Sequence, residues 1–555
     1  MAKVINEKIK IIPLGGVGEI GKNMYVIEVD EDLFVIDSGL MFPEEEMYGI
    51  DIVIPDFNYL ETNNDRVKAI FLTHGHDDAI GSLPYLLEKV KAPVYGSKLT
   101  IALAKAGLKE YGFKERVKFF VVHEKSNMKF DTVNVTFFAT THSIPDSLGI
   151  AIHTSEGAIV HTGEFKFDQS AKGAYASNIG KMAKLGEKGV FALLSDSTEA
   201  ERPGHATSES VVCNHVASSF NKAKGRIIVT CYASNLIRIQ QVFDVASKTG
   251  RKVAVIGEAV EKVVNVASRL EYLTYDEETR IELADIDQYQ DDEIVIILSG
   301  THDEPFKVME NMANQTHEAI NIQEGDTVLI TFTPSPGMEV YLYRSINELS
   351  RAGANVLTAR KNVHVSGHGS QEDLKMMINL MKPKYFIPIQ GEYRHLITHA
   401  RIAEETSVPR SNIFIADKGD IVEYQGGKMK MSGRVQTGNV LIDGKGVGDV
   451  GNIVLRDRRL LSQDGVLLVV VTLNRRTKSI AAGPEVISRG FVYVRESEKL
   501  MEESTTLVRN IVEKNVENRT FDWSSIKQEI RDSLNHLLYT KTKRRPMILP
   551  IIMEV

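Results

Sequence analysis

Thr73-His74-Gly75-His76-Asp77-Asp78-Ala79-Ile80-Gly81 closes a β-rich run at 68–73. Two histidines at i and i+2 on a strand-terminal loop can point both imidazoles at one ion, and Gly75 between them lets the backbone bend closely. A carboxylate two residues later, Asp78, reaches the same cavity. Nitrogen and oxygen donors in this pattern suit zinc or manganese. Alone, such a loop is as readily a polar turn, so its company decides. Asp37 ends a strand in Val35-Ile36-Asp37-Ser38-Gly39, His142 lies in Thr141-His142-Ser143-Ile144-Pro145-Asp146, and Glu164 lies in His161-Thr162-Gly163-Glu164-Phe165. Each follows a β-rich run, and a layered β-sandwich gathers such strand ends at one edge.

Outward from this loop, runs at 24–29, 33–36, 133–138 and 159–161 are rich in Val, Ile, Phe and Thr and predict strands, with helices expected at 80–90 and 99–111. From about residue 209 the rhythm changes. Near-continuous apolar strands at 226–232, 252–257, 294–298 and 326–332, several followed by helix-periodic stretches, argue for a parallel sheet buried on both faces. Six glycines between 433 and 451 read as a flexible connection. Strands at 466–473 and 490–495 and helices at 499–514 and 524–539 then suggest a small α+β domain, with Trp523 in its core. Gly16-Val17-Gly18-Glu19-Ile20-Gly21-Lys22-Asn23 imitates a nucleotide loop, but the strand-like Met24-Tyr25-Val26-Ile27 follows where phosphate binding needs a helix, so it reads as a glycine-rich β-turn.

A length of 555 residues predicts about three domains. With 43% apolar and 25% charged residues the composition excludes collagen-like, disordered and membrane-dominated chains. A net charge of −8 carries no global nucleic-acid signature, so any grip on RNA or DNA must be local; the basic groups at Arg456, Arg458, Arg459 and at Lys541, Lys543, Arg544, Arg545 read first as solvated surface, with RNA contact the alternative. Two cysteines make neither a disulfide framework nor a Cys-rich zinc site, and a reducing cytosol fits them. The longest apolar runs, such as 466–471, are too short to span a bilayer, and the start lacks a signal-peptide core. A cytoplasmic protein with no membrane partner is expected.

Three further motifs narrow the assignment: Asp196 in Leu194-Ser195-Asp196-Ser197-Thr198, His368 in His364-Val365-Ser366-Gly367-His368-Gly369, and the turn Pro388-Ile389-Gln390-Gly391-Glu392-Tyr393. They look like the signature positions of β-CASP nucleases. Down to its Lys543-Arg544-Arg545-Pro546-Met547-Ile548-Leu549-Pro550 end, the chain is similar to the bacterial ribonuclease J family over essentially its whole length. That resemblance implies an α/β and α+β multidomain fold: a metallo-β-lactamase αββα sandwich with an inserted parallel-sheet β-CASP domain and a small α+β C-terminal domain. The boundaries expected are 1–208 and 371–432 for the two parts of the sandwich, 209–370 for the insert, 433–465 for a Gly-rich linker region and 466–555 for an assembly domain. The implied activity is 5′→3′ exonucleolytic, with some endonucleolytic, cleavage of RNA in mRNA decay and rRNA maturation. RNA is the implied partner, preferably a 5′-monophosphorylated single strand. A homodimer or a hetero-oligomer with an active ribonuclease J paralogue is implied too, as is an RNA-degradation complex.

Residue by residue, the resemblance makes His74, His76, His142, Glu164 and Asp78 metal ligands. It makes His368 the general acid oriented by Asp196, and assigns Asp78 to the catalytic set. RNA phosphates would be held by the loop His364, Val365, Ser366, Gly367, His368 and by Ser234 and Asn235. Ser370-Gln371-Glu372-Asp373 caps the helix after the first loop, while Ser234 and Asn235 are equally natural helix caps. Three positions depart from the family pattern: Ala79 replaces the last histidine of HxHxDH, Glu164 the bridging aspartate, and Gln390 the late histidine. All three bear on a second metal, so one Zn²⁺ or Mn²⁺ per chain is expected rather than two. The departures resemble a catalytically weakened paralogue type of the family. Two functions follow: an attenuated metal-dependent ribonuclease, or a non-catalytic RNA-binding subunit that completes an assembly with an active paralogue.

Overall fold

Period-two alternation decides which way the strands of the first 200 residues face. In the strand Leu148–Thr154, Leu148, Ile150 and Ile152 enter one core while Ala151 enters another, and the neighbouring Phe137 and Phe138 divide the same way. A strand that is apolar on both faces must be covered twice. In the computed structural model, which describes residues 7–44, 46–300, 304–332, 334, 338–358, 366–477, 479–492, 497–517 and 522–555, that covering is a four-layer arrangement. An eight-stranded and a six-stranded sheet pack face to face through Ile27, Phe34, Phe71, Phe137, Ile150 and Ile159. On its other side the six-stranded sheet is covered by helices that supply Met182, Leu185, Leu374, Met377 and Met381.

One edge of this sandwich collects the strand ends. Asp37 follows the strand Asp32–Ile36, the 72–76 loop follows Val67–Phe71, and Glu164 follows Gly157–His161. Asp196 ends Val190–Asp196, which runs parallel to Tyr385–Ile389 with Asp196 opposite Ile389. Gln390 is therefore delivered beside Asp196 by register alone. Two non-glycine residues at this edge, Asp37 and Gln390, sit in the left-handed region (φ 62° and 53°), a conformation that concentrates at functional sites.

The near-continuous apolar strands form a five-stranded, wholly parallel sheet in the order Lys252–Ile256, Ile294–Gly300, Ile227–Tyr232, Thr327–Ile330, Asn355–Leu357. Its own core is built from residues such as Ile228, Ile296, Leu298, Met309 and Val328. The chain then returns to the sandwich through the helix Gln371–Met381. That helix is anchored by Leu374, Met377, Ile378 and Met381, each worth about 1.5–3 kcal/mol when buried. Asp373 reaches back to the backbone N–H of Ser370 (3.0 Å), as the capping pattern predicts.

Both the sandwich and the insert belong to one compact unit, Met1–Phe42 with Ile52–Val440; a second comprises Pro43–Asp51 with Leu441–Val555. In the second, the strand Val466–Leu473 lies between Ile480–Arg489 and Met547–Glu554, with helices Glu498–Glu517 and Trp523–Thr542 packed on it. Trp523 is half-buried against that core.

One expectation changes here. The stretch 433–465 is not bare linker: it holds the strand Asn439–Asp443 and the helix Asn452–Asp464, its glycines serving turns such as Gly444 and Gly448 at positive φ. The terminal sheet also contains the strand Ile480–Arg489; of the strand expected at 490–495, residues 493–496 lie outside the described residues. The terminal basic residues are partly committed internally: Arg458 bonds to Asp443 and the Tyr48 carbonyl, and Arg459 to Glu46.

Candidate metal centre

At the sandwich edge His74, His76, His142 and Glu164 converge, one donor atom from each lying within 4.8 Å of the others. The outer nitrogen of each imidazole is already committed. His76 Nε2 faces the Ser234 carbonyl (3.3 Å) and His142 Nδ1 the Gly367 carbonyl (2.8 Å). A carbonyl only accepts, so both ring nitrogens carry the hydrogen, and the opposite nitrogens, His76 Nδ1 and His142 Nε2, present lone pairs 3.2 Å apart. Thr73 Oγ1 bonds both Asp37 Oδ2 (2.9 Å) and His74 Nδ1 (2.9 Å), leaving His74 Nε2 to face the cluster. Asp37 is thus no ligand but a support, buried so deeply that its carboxyl is pushed up to about 7.

Charge completes the picture. Burial, with His74 and His142 as neighbours, holds His76 well below the usual imidazole range, in the neutral form that ligates metals. Burial opposes charge on Glu164, yet His74 and His368 outweigh it and hold its carboxyl well below the usual range. Its Oε2 lies 2.9 Å from His142 Nε2 and 3.3 Å from His74 Nε2. Although two carboxylates stand near, His74 Nε2 has no hydrogen-bond partner among the described residues. An orphaned buried nitrogen among three further N and O donors is the arrangement one cation satisfies, so the residues fit a metal ion. Asp78 stands beside this group, its Oδ1 3.5 Å from His74 Nε2, its carboxyl pushed up to about 7 by burial and by Glu164.

The far side of Glu164 differs. Ala79 is fully buried and brings no donor side chain. Gln390 Nε2 and Asn23 Nδ2 both donate to Glu164 Oε1, at 3.4 and 3.3 Å. This oxygen therefore accepts amide N–H groups, while Asn23 Oδ1 and Gln390 Oε1 are buried without a hydrogen-bond partner among the described residues. Gln390 is clamped there by its own backbone, its N–H bonding to Gly16 and its carbonyl to Ser197 N–H.

Asn23 is the site residue that sequence reasoning missed. The glycine-rich turn read as a decoy is not a nucleotide loop but a strap: Gly16 and Glu19 carbonyls receive the N–H groups of Gln390 and Gly391, and Asn23 N–H bonds to Asp78. A Cβ at Gly16 would lie 2.4 Å from Asn23 Oδ1. The only sequence signal was the position of Asn23 at a strand start next to two turns.

His368 Nδ1 bonds to Asp196 Oδ2 at 2.7 Å, while Asp196 Oδ1 accepts from Thr198 N–H and Oγ1–H, so the carboxylate is fixed at both ends. Burial works against charge on this imidazole, but Asp196 and Glu164 raise it to about 10, and Nε2 sits 3.9 Å from Glu164 Oε2. His368 therefore carries a proton at neutral pH, facing the cluster. Ser366 Oγ accepts the His368 N–H, and a Cβ at Gly367 would meet the His142 ring at 2.5 Å, so glycine is required there. His364 and Val365 lie outside the described residues. Asn235 caps the helix Leu236–Lys248 through the Arg238 N–H, which commits its side chain to structure, while Ser234 touches the metal group by its carbonyl.

Comparison with known proteins bears on the whole length. Over 555 residues, all of both chains, this chain is 52% identical to "Ribonuclease J 2" of Staphylococcus epidermidis and 53% identical to that of Staphylococcus aureus. The chain belongs to the ribonuclease J family. Family models agree in order along it: the metallo-beta-lactamase superfamily at 17–170, the ribonuclease J beta-CASP domain at 224–349, a Zn-dependent metallo-hydrolase RNA specificity domain at 353–415 and the ribonuclease J C-terminal domain at 453–555. A solved structure described as a protein of unknown function from Enterococcus faecalis V583 shares the fold at 16% identity and a TM-score of 0.52, covering 75% of this chain and 100% of that one. The metallo-β-lactamase fold, the β-CASP insert and the C-terminal domain of the ribonuclease J family are thus all present. Among the described residues, no helix is long and apolar enough to cross a membrane.

Proposed function

We propose that this ribonuclease J is a metal-dependent, RNA-cleaving protein of 5′→3′ exonuclease type whose chemistry is attenuated because it holds one ion, Zn²⁺ or Mn²⁺, rather than two. The observation that carries this is the pair of amide donors on Glu164 Oε1. That oxygen takes two N–H groups, at 3.3 and 3.4 Å, where a second cation would otherwise be its partner. Neither Ala79 nor Gln390 brings a histidine nitrogen to a second ion, so a two-metal clamp on attacking and leaving oxygens would be short of ligands.

His74, His76, His142 and Glu164 would hold the ion, which supplies Lewis-acid polarisation of the scissile phosphate. His368 holds a proton at Nε2 for the departing 3′-oxygen, and Asp196 fixes its orientation and basicity. Asp78, with Oδ1 3.5 Å from His74 Nε2, would stand at the edge of the ion as the further carboxylate of the catalytic set. Ser366, Gly367 and the His364–Val365 segment before them would hold RNA phosphates, together with the Ser234 loop; Asn235 would shape that loop rather than touch the phosphate.

The same amide pair favours a second reading, in which the chain binds RNA without turning it over and completes an assembly, homodimeric or with an active paralogue, inside an RNA-degrading complex in the cytoplasm. Single-turnover decay of a 5′-monophosphorylated RNA by the isolated chain, with and without Mn²⁺, separates the two. Slow Mn²⁺-dependent loss of nucleotides from the 5′ end supports the attenuated enzyme; tight binding without decay supports the subunit.

A further inference from the structure

We propose that the inserted domain is a working part of the metal centre, and that Glu209 and Tyr272 are positioning residues through which its seating sets metal affinity. This rests on the one-ion reading above. His76 and His142 owe their ligating tautomers to carbonyls at Ser234, in the insert, and Gly367, in the loop returning from it. Beside His142, the Ser143 carbonyl accepts the Ile237 N–H of the insert (3.3 Å). Glu164 is tied by a different route. Lys166, two residues beyond it and fully buried, reaches Glu209 Oε1 at 2.9 Å in the first turn of the helix Glu209–Lys222. Glu209 Oε2 pairs with Arg238 (3.5 Å) and accepts from Gln241 (3.2 Å), both on the helix that begins just after Ser234. One buried carboxylate thus joins the segment carrying Glu164 to the loop carrying the His76 acceptor. A third tie, Tyr272 to Asp146 Oδ2 (2.5 Å), holds the segment four residues beyond His142.

His74 is anchored inside the sandwich through Thr73 and Asp37, and the Glu164 carboxylate itself accepts there from Asn23 and Gln390. Two of the four ligands thus take their outer partners from the insert and its return loop, with the Glu164 segment tied through Lys166, and metal binding must in turn favour the seated insert, because coupling between two equilibria is reciprocal. Groups that orient metal ligands from outside typically change affinity about 10–100-fold when removed.

The test is calorimetric titration of the chelator-stripped full chain with Zn²⁺ or Mn²⁺ alone, in the unsubstituted protein and in Tyr272→Phe, Glu209→Gln and Val328→Ala. Val328 packs the insert's own core and is a member of none of these ties, so its variant reports general loosening. Tyr272→Phe is expected to weaken binding by about tenfold and Glu209→Gln by up to about a hundredfold, with Val328→Ala within about twofold of the parent. Glu209→Gln leaves Lys166 and Arg238 without their charge partner; where it fails to fold, Tyr272→Phe decides. Unchanged affinity in Tyr272→Phe, or an equal loss in Val328→Ala, overturns the coupling while leaving the metal reading intact. An unsubstituted chain that binds neither ion overturns the metal reading, and the coupling with it.

Discussion

On one side of Glu164 stand three imidazoles, each with its outer nitrogen held and its inner nitrogen turned to the cluster; on the other stand two carboxamides that point N–H groups at the same carboxylate. The backbone framework of the two sides is equally ordered: Gln390 is clamped by Gly16 and Ser197, Ala79 by Ser38. What differs is the sign of what each side offers. The histidine side presents lone pairs that a cation satisfies; the carboxamide side presents N–H groups to Glu164, while Asn23 Oδ1 and Gln390 Oε1 stay buried without a hydrogen-bond partner among the described residues. On the one-ion reading, amides satisfy the carboxylate where a second ion would otherwise have done so, and the fold is kept.

The largest effect that would break this contrast is recovered catalysis. Ala79→His with Glu164→Asp and Gln390→His should raise 5′ exonuclease activity by orders of magnitude, single changes doing little because the ligands act as a unit. His74→Ala in that background should abolish the gain. If the unsubstituted chain already degrades RNA at a rate the triple change does not improve, the two sides are not functionally different.

Metal content sharpens the comparison next. Dialysed protein should hold at most one ion per chain by elemental analysis, and His74→Ala should weaken binding more than the about 10–100-fold typical of outer partners. Two ions per chain would mean that the carboxamides give way to a cation. RNA binding should be indifferent to the carboxamide side. A 5′-monophosphorylated oligonucleotide should bind roughly tenfold or more tightly than its 5′-hydroxyl counterpart at one fixed salt concentration, from charge-assisted contacts of about 1.5–3 kcal/mol. Equal affinities would remove the phosphate role of the 366–368 loop.

The smallest effect probes the support beneath both sides. His399, wholly buried, bonds to Ser197 next to Asp196, and burial lowers its imidazole to about 3. Unfolded, it binds a proton near the ordinary value of about 6.5, so below that pH the unfolded chain takes up a proton that the folded chain refuses. Stability should fall as pH drops, by about 1 kcal/mol between pH 7.5 and 6 from this group alone. In denaturant melts His399→Gln, which can still accept from Ser197, should lose that share of the pH dependence; an unchanged slope would show that His399 takes up its proton in the folded state.

The strand–loop pattern and the ligand inventory were legible without coordinates. Period-two apolar runs and the His74–His76–Asp78 loop are local facts of residue type and spacing, whereas Ala79, Glu164 and Gln390 stood out only against the pattern of the family the chain resembles. The helix Asn452–Asp464 hid behind flanking glycines. What only the tertiary structure decided are the partners that have no sequence identity of their own. The acceptors that set His76 and His142 are backbone carbonyls, at residues 158 and 225 positions away. Asn23 comes to Glu164 from 141 positions off, on a turn whose letters imitate another motif. Residue type determines what a side chain can donate or accept; which partner it meets depends on sheet register and on loops closed across hundreds of residues, and those are properties of the packed chain.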